Sequence, residues 1–467
     1  IRQLVIDRLD VVSDNELLLL KWIAVSGREL HLETLIHLID LEDDVLFDAI
    51  DTLLHNRILL ERKSGMDEYF SFRRRKYGTV LYNTLAQAER AEMHTHIAEY
   101  LESSTTSPNL NAIQHLGHHF RCGEVAGKAY QYLSIAALKL WERGLVQNAM
   151  QNVQHAHPLT KSAKKSLSES EFSQARLKLL QVCSAMSTNQ GEWKDALKHL
   201  KTQLRYAKSL NAWQVLLRTH LAIGDIHTRL GEMEKGVQVF NKVLKQAKEK
   251  EHLPTQIEAY YQLCGVSWDQ GKFKEALQYA QNGLDLTTPE EHTLHKAKIL
   301  LSMSSLQAQF GHTNVACQQM TEASVILRTL MQKELLCIVL SNLAEVQLWQ
   351  GLWLDAHTTA LEGLALSQES FYQVGQGQAR LVLAQSAFER GLYSEATKHA
   401  KIARRISTEI QTPTLGAMAS FILAQIQLGL DNPNAALPLL KSARTIFQEN
   451  DPEQYQMSVH LAMALAF

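Results

Sequence analysis

From residue 183 onward the hydrophobic and polar positions recur with a fixed period of forty. Large apolar side chains occupy one column: Cys183, Ile223, Leu263, Met303, Leu343, Leu383 and Leu423. The next position is small in every unit, from Ser184 and Gly224 to Ala384 and Ala424. Seven residues later stands Gly191, Gly231, Gly271, Gly311, Gly351 or Gly391, with Asp431 next in register. A second small column follows five residues after the glycine (Ala196, Gly236, Ala276, Ala316, Ala356, Ala396, Ala436), and an apolar one four further on. A fixed period of this length marks a repeat architecture. The pattern predicts two antiparallel helices per unit, packed closely at the small positions. The glycine ends the first helix, where a left-handed residue is favoured.

Residues 1–103 lie outside that register. Ser13-Asp14-Asn15-Glu16 reads as a capping box ahead of LLLLKWIAV, and Gly27 as the end of that helix. A short helix over 31–39 and a third from Asp43, with Val45, Leu46, Ile50 and Leu53 on one face, follow. The segments 58–63 and 68–72, joined by Ser64-Gly65, alternate as a β-hairpin. Three helices and a hairpin describe a winged helix, with two more helices over about 74–86 and 88–103. The polar run Ser103–Asn109 is a boundary. Residues 110–190 read as transitional helices, in which Gly144 and Ala149 repeat the spacing of five and about seven residues are inserted within Leu159–Ser168. The organisation expected is thus 1–103, 110–190 and a repeat array over 191–467.

The column set Leu263-Cys264, Gly271, Ala276, Ala280 and its equivalents resembles the tetratricopeptide repeat, which implies a right-handed α-solenoid. The ordinary unit of that family is about 34 residues long. Here it spans forty positions from glycine to glycine, with the extra length between one unit's second helix and the next unit's first. The usual proline does not recur as a column at that link, so lengthened helices are expected. In this the array resembles the long repeats of the maltose-regulon activator. The order of parts, FSFRRRKYGTVLYNTL, ERAEMHTHIAEYLE, then LGHHF and GKAYQYLSIAALKLWERG before the repeats, resembles the C-terminal part of bacterial STAND-class signalling ATPases. That resemblance implies a nucleotide-binding domain in cis ahead of the winged helix. Related winged helices carry Phe-x-His-Asp after the hairpin. Here Phe72 precedes Arg73, Arg74 and Arg75, with Arg74 about where the phosphate-sensing His would stand. The three arginines are candidates for a nucleotide-facing or interdomain role.

Charge narrows the alternatives. The chain carries a formal net charge of −2, and residues 1–103 hold 12 Lys+Arg against 19 Asp+Glu. A winged helix with a net −7 is a poor partner for phosphate backbones, so nucleic acid is disfavoured although Arg73–Arg75 flank a hairpin. The five cysteines include no C-x-x-C and read as free thiols of a reducing, cytoplasmic compartment. No apolar run is long enough to span a membrane. The first residue is Ile, and Ser458–Phe467 reads as the first helix of a further unit without its partner, so the sequence reads as a piece of a longer protein.

No G-x-x-x-x-G-K-[ST] loop occurs, so no nucleotide cofactor is expected in this stretch and no enzymatic activity is assigned to it. His115, His118 and His119 share a helical face with Cys122, but no further ligand is evident along that segment, and no metal is assigned. His94 and His96 have no nucleophile nearby in the sequence, so no catalytic residue is assigned. The better candidate is the concave face lined by each first helix. By register it presents Arg218, Asp225, Tyr261, Trp268, Lys298, Glu345, Gln385, Phe388 and Phe421. Mixed aromatic and polar residues suit a peptide, a protein partner or a small-molecule inducer. The sequence therefore reads as a mainly α protein, a winged helix followed by a tetratricopeptide-like solenoid, acting as the sensor arm of a signalling ATPase. A scaffold without switching, and a DNA-binding regulator acting through the winged helix, are the alternatives.

Overall fold

The structure is a computed structural model that describes residues 11–65, 67–287, 293–370, 372–450, 459 and 461–464. It forms two compact units, Ile1–Thr219 and His220–Phe467.

The first unit opens with the expected winged helix. Helix α1 (Asp14–Ser26) starts at the capping box: Glu16 N–H donates to Ser13 Oγ at 3.3 Å and Ser13 N–H to Glu16 Oε2 at 3.2 Å. Gly27, at φ 69°, closes it. Helices α2 (Leu32–Leu38) and α3 (Asp43–His55) and strands β2 (Leu59–Ser64) and β3 (Asp67–Phe72) fall where the pattern puts them. The hairpin is antiparallel, with Leu59 opposite Phe72 and Ser64 opposite Asp67. A two-residue strand β1 (Leu30–His31) adds to β3, giving the order β1-β3-β2. The sequence reading lacks this strand because two residues carry no alternation to detect. Leu19, Leu20, Leu35, Leu46 and Leu53 form the core, all fully buried. Helices α4 (Arg75–Thr84) and α5 (Gln87–Ser104) follow and add Tyr77, Leu81, Met93 and Ile97 to it.

After the polar break, α6 (Leu110–Cys122) begins at Asn109, whose Oδ1 accepts from Ala112 N–H at 2.9 Å. Helices α7 (Ala126–Glu142) and α8 (Val146–Ala156) complete the three expected helices. The insertion folds into a 3-10 turn (His157–Leu159) and the short helix α9 (Thr160–Ser166). A second capping box, Ser168 with Glu171, restarts the chain as α10 (Glu169–Asn189). Helix α11 (Trp193–Ser209) follows, and α12 (Trp213–Arg229) contains the boundary between the two units.

The second unit continues as α13 (Met233–Glu249), α14 (Leu253–Asp269), α15 (Phe273–Leu284), α16 (Thr293–Gln309), α17 (Thr313–Thr329) and α18 (Lys333–Trp349). It ends with α19 (Trp353–Glu369), α20 (Gln373–Glu389), α21 (Tyr393–Glu409), α22 (Pro413–Gly429) and α23 (Pro433–Asn450). Most of these helices are 17 residues long and are separated by three residues, which accounts for the period of forty. The extra length lies in the helices themselves; where proline does stand at a link, as Pro254 and Pro413 do, it falls in the first turn of the following helix and does not shorten it. The glycine column is left-handed throughout, with φ from 71° at Gly271 to 82° at Gly311. At Gly231 the turn makes both bonds of a Schellman motif: Gly231 N–H to Thr228 O at 2.9 Å and Glu232 N–H to His227 O at 2.8 Å. The link to the next unit uses the same turn. Glu251, Met331 and Gln411 are left-handed there, as is Asn211 in the first unit, with φ of 50–54°. Glu251 N–H reaches Lys248 O at 3.1 Å and His252 N–H reaches Ala247 O at 2.9 Å.

The small columns are contact columns. Ala276, Ala316, Ala356, Ala396 and Ala436 are fully buried. One unit shows how the columns compensate. A Cβ on Gly224 would stand 2.5 Å from Phe240, and one on Gly236 would overlap Thr228. The ring of Phe240, fully buried where three of the other units carry Ala, fills the space those glycines leave. Of the expected helix at Ser458–Phe467, Val459 and Leu461–Ala464 are helical and the rest lies outside the described residues.

Candidate functional site

A cavity in the second unit lies against the first helices of three successive repeats, α18, α20 and α22. Its volume is ≈ 460 Å³. Leu348, Trp349, Leu381, Leu415, Met418 and Phe421 supply apolar walls. Ser341, Asn342, Glu345, Gln378, Gln385 and Gln425 supply polar groups. The floor is built by register: Ser341, Leu381 and Phe421 stand one repeat apart, as do Glu345, Gln385 and Gln425.

Three of its side chains hold unsatisfied polar atoms. Ser341 Oγ, Gln378 Oε1 and Gln425 Oε1 are buried without a hydrogen-bond partner among the described residues. Burial alone pushes the Glu345 carboxyl pKa above its ordinary range, with no neighbouring cation among the described residues to counter it. Gln385 instead donates to Glu389 Oε1 at 2.7 Å. A buried polar group without a partner costs about 1–3 kcal/mol. Side chains that line an apolar cavity and hold such atoms are therefore suited, on rotation into it, to a ligand that brings N–H donors.

Glu345, Gln385 and Phe421 are the three sequence-designated residues that this cavity brings together. The others stand elsewhere. Tyr261 and Lys298 meet on α14 and α16: the Lys298 ammonium lies 5.5 Å from the Tyr261 ring centroid and 3.0 Å from Glu258 Oε2. Burial first, then Glu258, pushes the Tyr261 hydroxyl up to about 12. Trp268 is half-buried against Cys264, Ala276 and Met303, its ring 5.4 Å from that of Phe273. Phe388 packs on Tyr393 at 5.9 Å. Asp225 pairs along its own helix with Arg229 at 2.9 Å. Arg218 is exposed and belongs to the first unit. Trp349, Gln378, Met418 and Gln425 escaped the sequence reading. Gln425 lies in the Glu345–Gln385 column, and Gln378 and Met418 in the column of Lys298, so applying the register to every unit would have found them.

In the first unit an open cleft of ≈ 820 Å³ runs between the winged helix and α5–α6, lined by Arg28, Phe72, Arg75, Tyr82, His94 and His118 among others. Of the basic trio, Arg75 reaches this cleft, while Arg73 and Arg74 are exposed beside it. The imidazoles around it are held neutral. Burial lowers His94 and His115 to about 4 and His119 to about 2, with neighbouring imidazoles and arginines adding to the effect. All five cysteines are free; Cys264 and Cys337 are buried, and burial pushes both thiols up to about 11. Among the described residues no helix is long and apolar enough to cross a membrane.

Comparison with known proteins supports this architecture. Residues 179–258 and 259–348 match the family described as anaphase-promoting complex subunit 5. The response regulator aspartate phosphatase H of Bacillus subtilis is 23% identical over 242 residues, covering 51% of this chain and 57% of that protein. The chain thus spans little more than half the length of that curated relative. A Rap protein complexed with competence and sporulation factor is 11% identical with a TM-score of 0.49, over 82% of this chain and 94% of that one. The STAND (signal transduction ATPase with numerous domains) protein with a tetratricopeptide repeat sensor from Pyrococcus horikoshii superposes over 100% of this chain and 67% of its own, with a TM-score of 0.58 and 14% identity. The chain shares its fold with that protein; in this chain it is a winged helix followed by a long tetratricopeptide-like helical array.

Proposed function

We propose that this chain is the non-catalytic sensor arm of a STAND-type signalling ATPase, and that it takes its signal as a peptide or partner-protein segment in the cavity of α18, α20 and α22. The order of winged helix and repeats supports the arm, and the nucleotide-binding domain is then carried in cis. The STAND reading does not depend on the narrower resemblance to the maltose-regulon activator, which rests on repeat length. The observation that carries the binding site is the set of unpartnered acceptors, Ser341 Oγ, Gln378 Oε1 and Gln425 Oε1, inside apolar walls. An extended peptide offers N–H donors along its backbone and apolar side chains between them. Glu345, with no counter-charge among the described residues, favours a lysine, arginine or amino terminus near the floor. Binding there biases the ATPase only to the extent that the ligand prefers one of its states.

Selection of a random peptide library on the chain tests the site. Enriched peptides are expected to carry apolar residues with a basic group, and to lose at least about tenfold in affinity on Leu381→Trp, which fills the cavity. Equal affinity for Leu381→Trp would move the ligand site elsewhere.

A further inference from the structure

Three metal-ligating side chains converge beside the cleft of the first unit. His118 and Cys122 lie four residues apart on α6 and so share a face. His94 enters from α5, which packs against α6. One ligand atom from each lies within 4.8 Å of the others, and Cys122 Sγ is 3.9 Å from His118 Nε2. Tetrahedral coordination with metal–sulfur and metal–nitrogen bonds of about 2.3 and 2.0 Å puts such donors roughly 3.5 Å apart. Closing the set is therefore a matter of small side-chain rotations. His118 is exposed and Cys122 half-buried, so both are free to make them, while His94 is buried and fixed.

The surroundings are those of a supported ligand. His94 Nδ1 lies 2.8 Å from His119 Nδ1, and His94 Nε2 lies 3.0 Å from Tyr82 Oη. His119 is itself buried, and its Nε2 has no hydrogen-bond partner among the described residues. If His94 donates from Nδ1 to His119, its Nε2 lone pair faces the Tyr82 hydroxyl and is available to a metal. A ligating imidazole held through its other nitrogen is the usual arrangement at metal sites. His94 and His118 both line the open cleft, which gives an ion an entry path. Arg121 Nη2 lies 4.0 Å from Cys122 Sγ.

We propose that His94, His118 and Cys122 bind a divalent ion of the zinc class, with water or the Tyr82 hydroxyl as the fourth ligand. Two imidazoles and a thiolate match that class and exclude magnesium and calcium, which prefer oxygen. Binding releases the thiol proton to solvent and leaves a thiolate–metal bond. The ion would clamp α5, which packs on the winged helix, to α6. The sequence shows His118 and Cys122 on one helix; only the packing of α5 on α6 supplies His94.

Cobalt(II) titrated into the reduced 467-residue chain reads this directly. One equivalent is expected to give thiolate-to-cobalt charge-transfer absorption, which zinc displaces and magnesium does not. Cys122→Ser should abolish the band and His118→Ala should weaken binding at least tenfold, while Cys183→Ser leaves it intact. Helical circular dichroism checks that each variant is folded; His118 is exposed, so its replacement tests the site independently of the thiol. Absence of a thiolate band at one equivalent overturns the proposal. So does a band that survives Cys122→Ser, or one lost equally in Cys183→Ser.

Discussion

Glu345 shows at the scale of one residue how a helical array acquires chemistry. Its neighbours along the column, Gln385 and Gln425, are neutral, and among the described residues it has no cation to pair with. The folded protein therefore favours the protonated carboxyl. Because the folded pKa is raised, the associated stability is fully present below the ordinary value of 4.5 and is lost as pH rises through the folded value. Glu345→Gln should remove that dependence. Thermal unfolding is expected to show the variant more stable than the parent at pH 8, by on the order of 1 kcal/mol, with the difference vanishing toward pH 4. A parent curve parallel to the variant's would mean that the carboxyl ionises freely. The charge of Glu345 was legible in the sequence. The loss of partners around Ser341, Gln378 and Gln425 was not, because satisfaction of a polar atom depends on three helices at once.

At the scale of the element, the two turns of each repeat share one geometry and differ in how visible they are. The first turn was legible because glycine meets its left-handed requirement almost every time. The second was hidden because Asn211, Glu251, Met331 and Gln411 meet the same requirement with four different residue types. A non-glycine residue there costs about 1–2 kcal/mol, which the paired turn hydrogen bonds and packing of the flanking helices offset. Met331 is exposed, so its side chain contributes little. Met331→Gly is therefore expected to raise stability by about 0.5–1 kcal/mol, whereas Gly271→Ala, which meets no steric obstacle beyond its φ of 71°, lowers it by about 1 kcal/mol. Denaturant midpoints measure both, and a neutral result for both would mean that the turns are not strained. Packing gives a second test. Gly224→Ala should destabilise by about 1–3 kcal/mol, because its Cβ meets the Phe240 ring, and Phe240→Leu in the same chain should recover part of that loss. A double-mutant cycle with no coupling would separate the two columns.

At the scale of the whole molecule, the fixed period of the repeats is a statement about what can be removed. Each helix of the second unit packs mainly on its sequence neighbours, so stability approximates a sum of repeat and neighbour terms. Deleting residues 232–271 joins Gly231 to Lys272 and keeps every column in register. The shortened chain is expected to stay fully helical per residue, to unfold cooperatively and to retain the cavity of α18, α20 and α22 with its peptide affinity. Deleting residues 352–391 is equally in register but removes α20, which carries Gln378, Leu381 and Gln385 between the other two walls. That chain should fold as well as the first and lose peptide binding. A deletion only as long as the ordinary tetratricopeptide unit brings large residues to small columns and should cost the cooperative transition. Circular dichroism, thermal unfolding and peptide titration on the three chains separate the possibilities. If that shorter deletion folds as well as the two in register, the columns do not govern packing. If the chain lacking 352–391 still binds the selected peptides, the acceptors of that cavity are not where the signal is received.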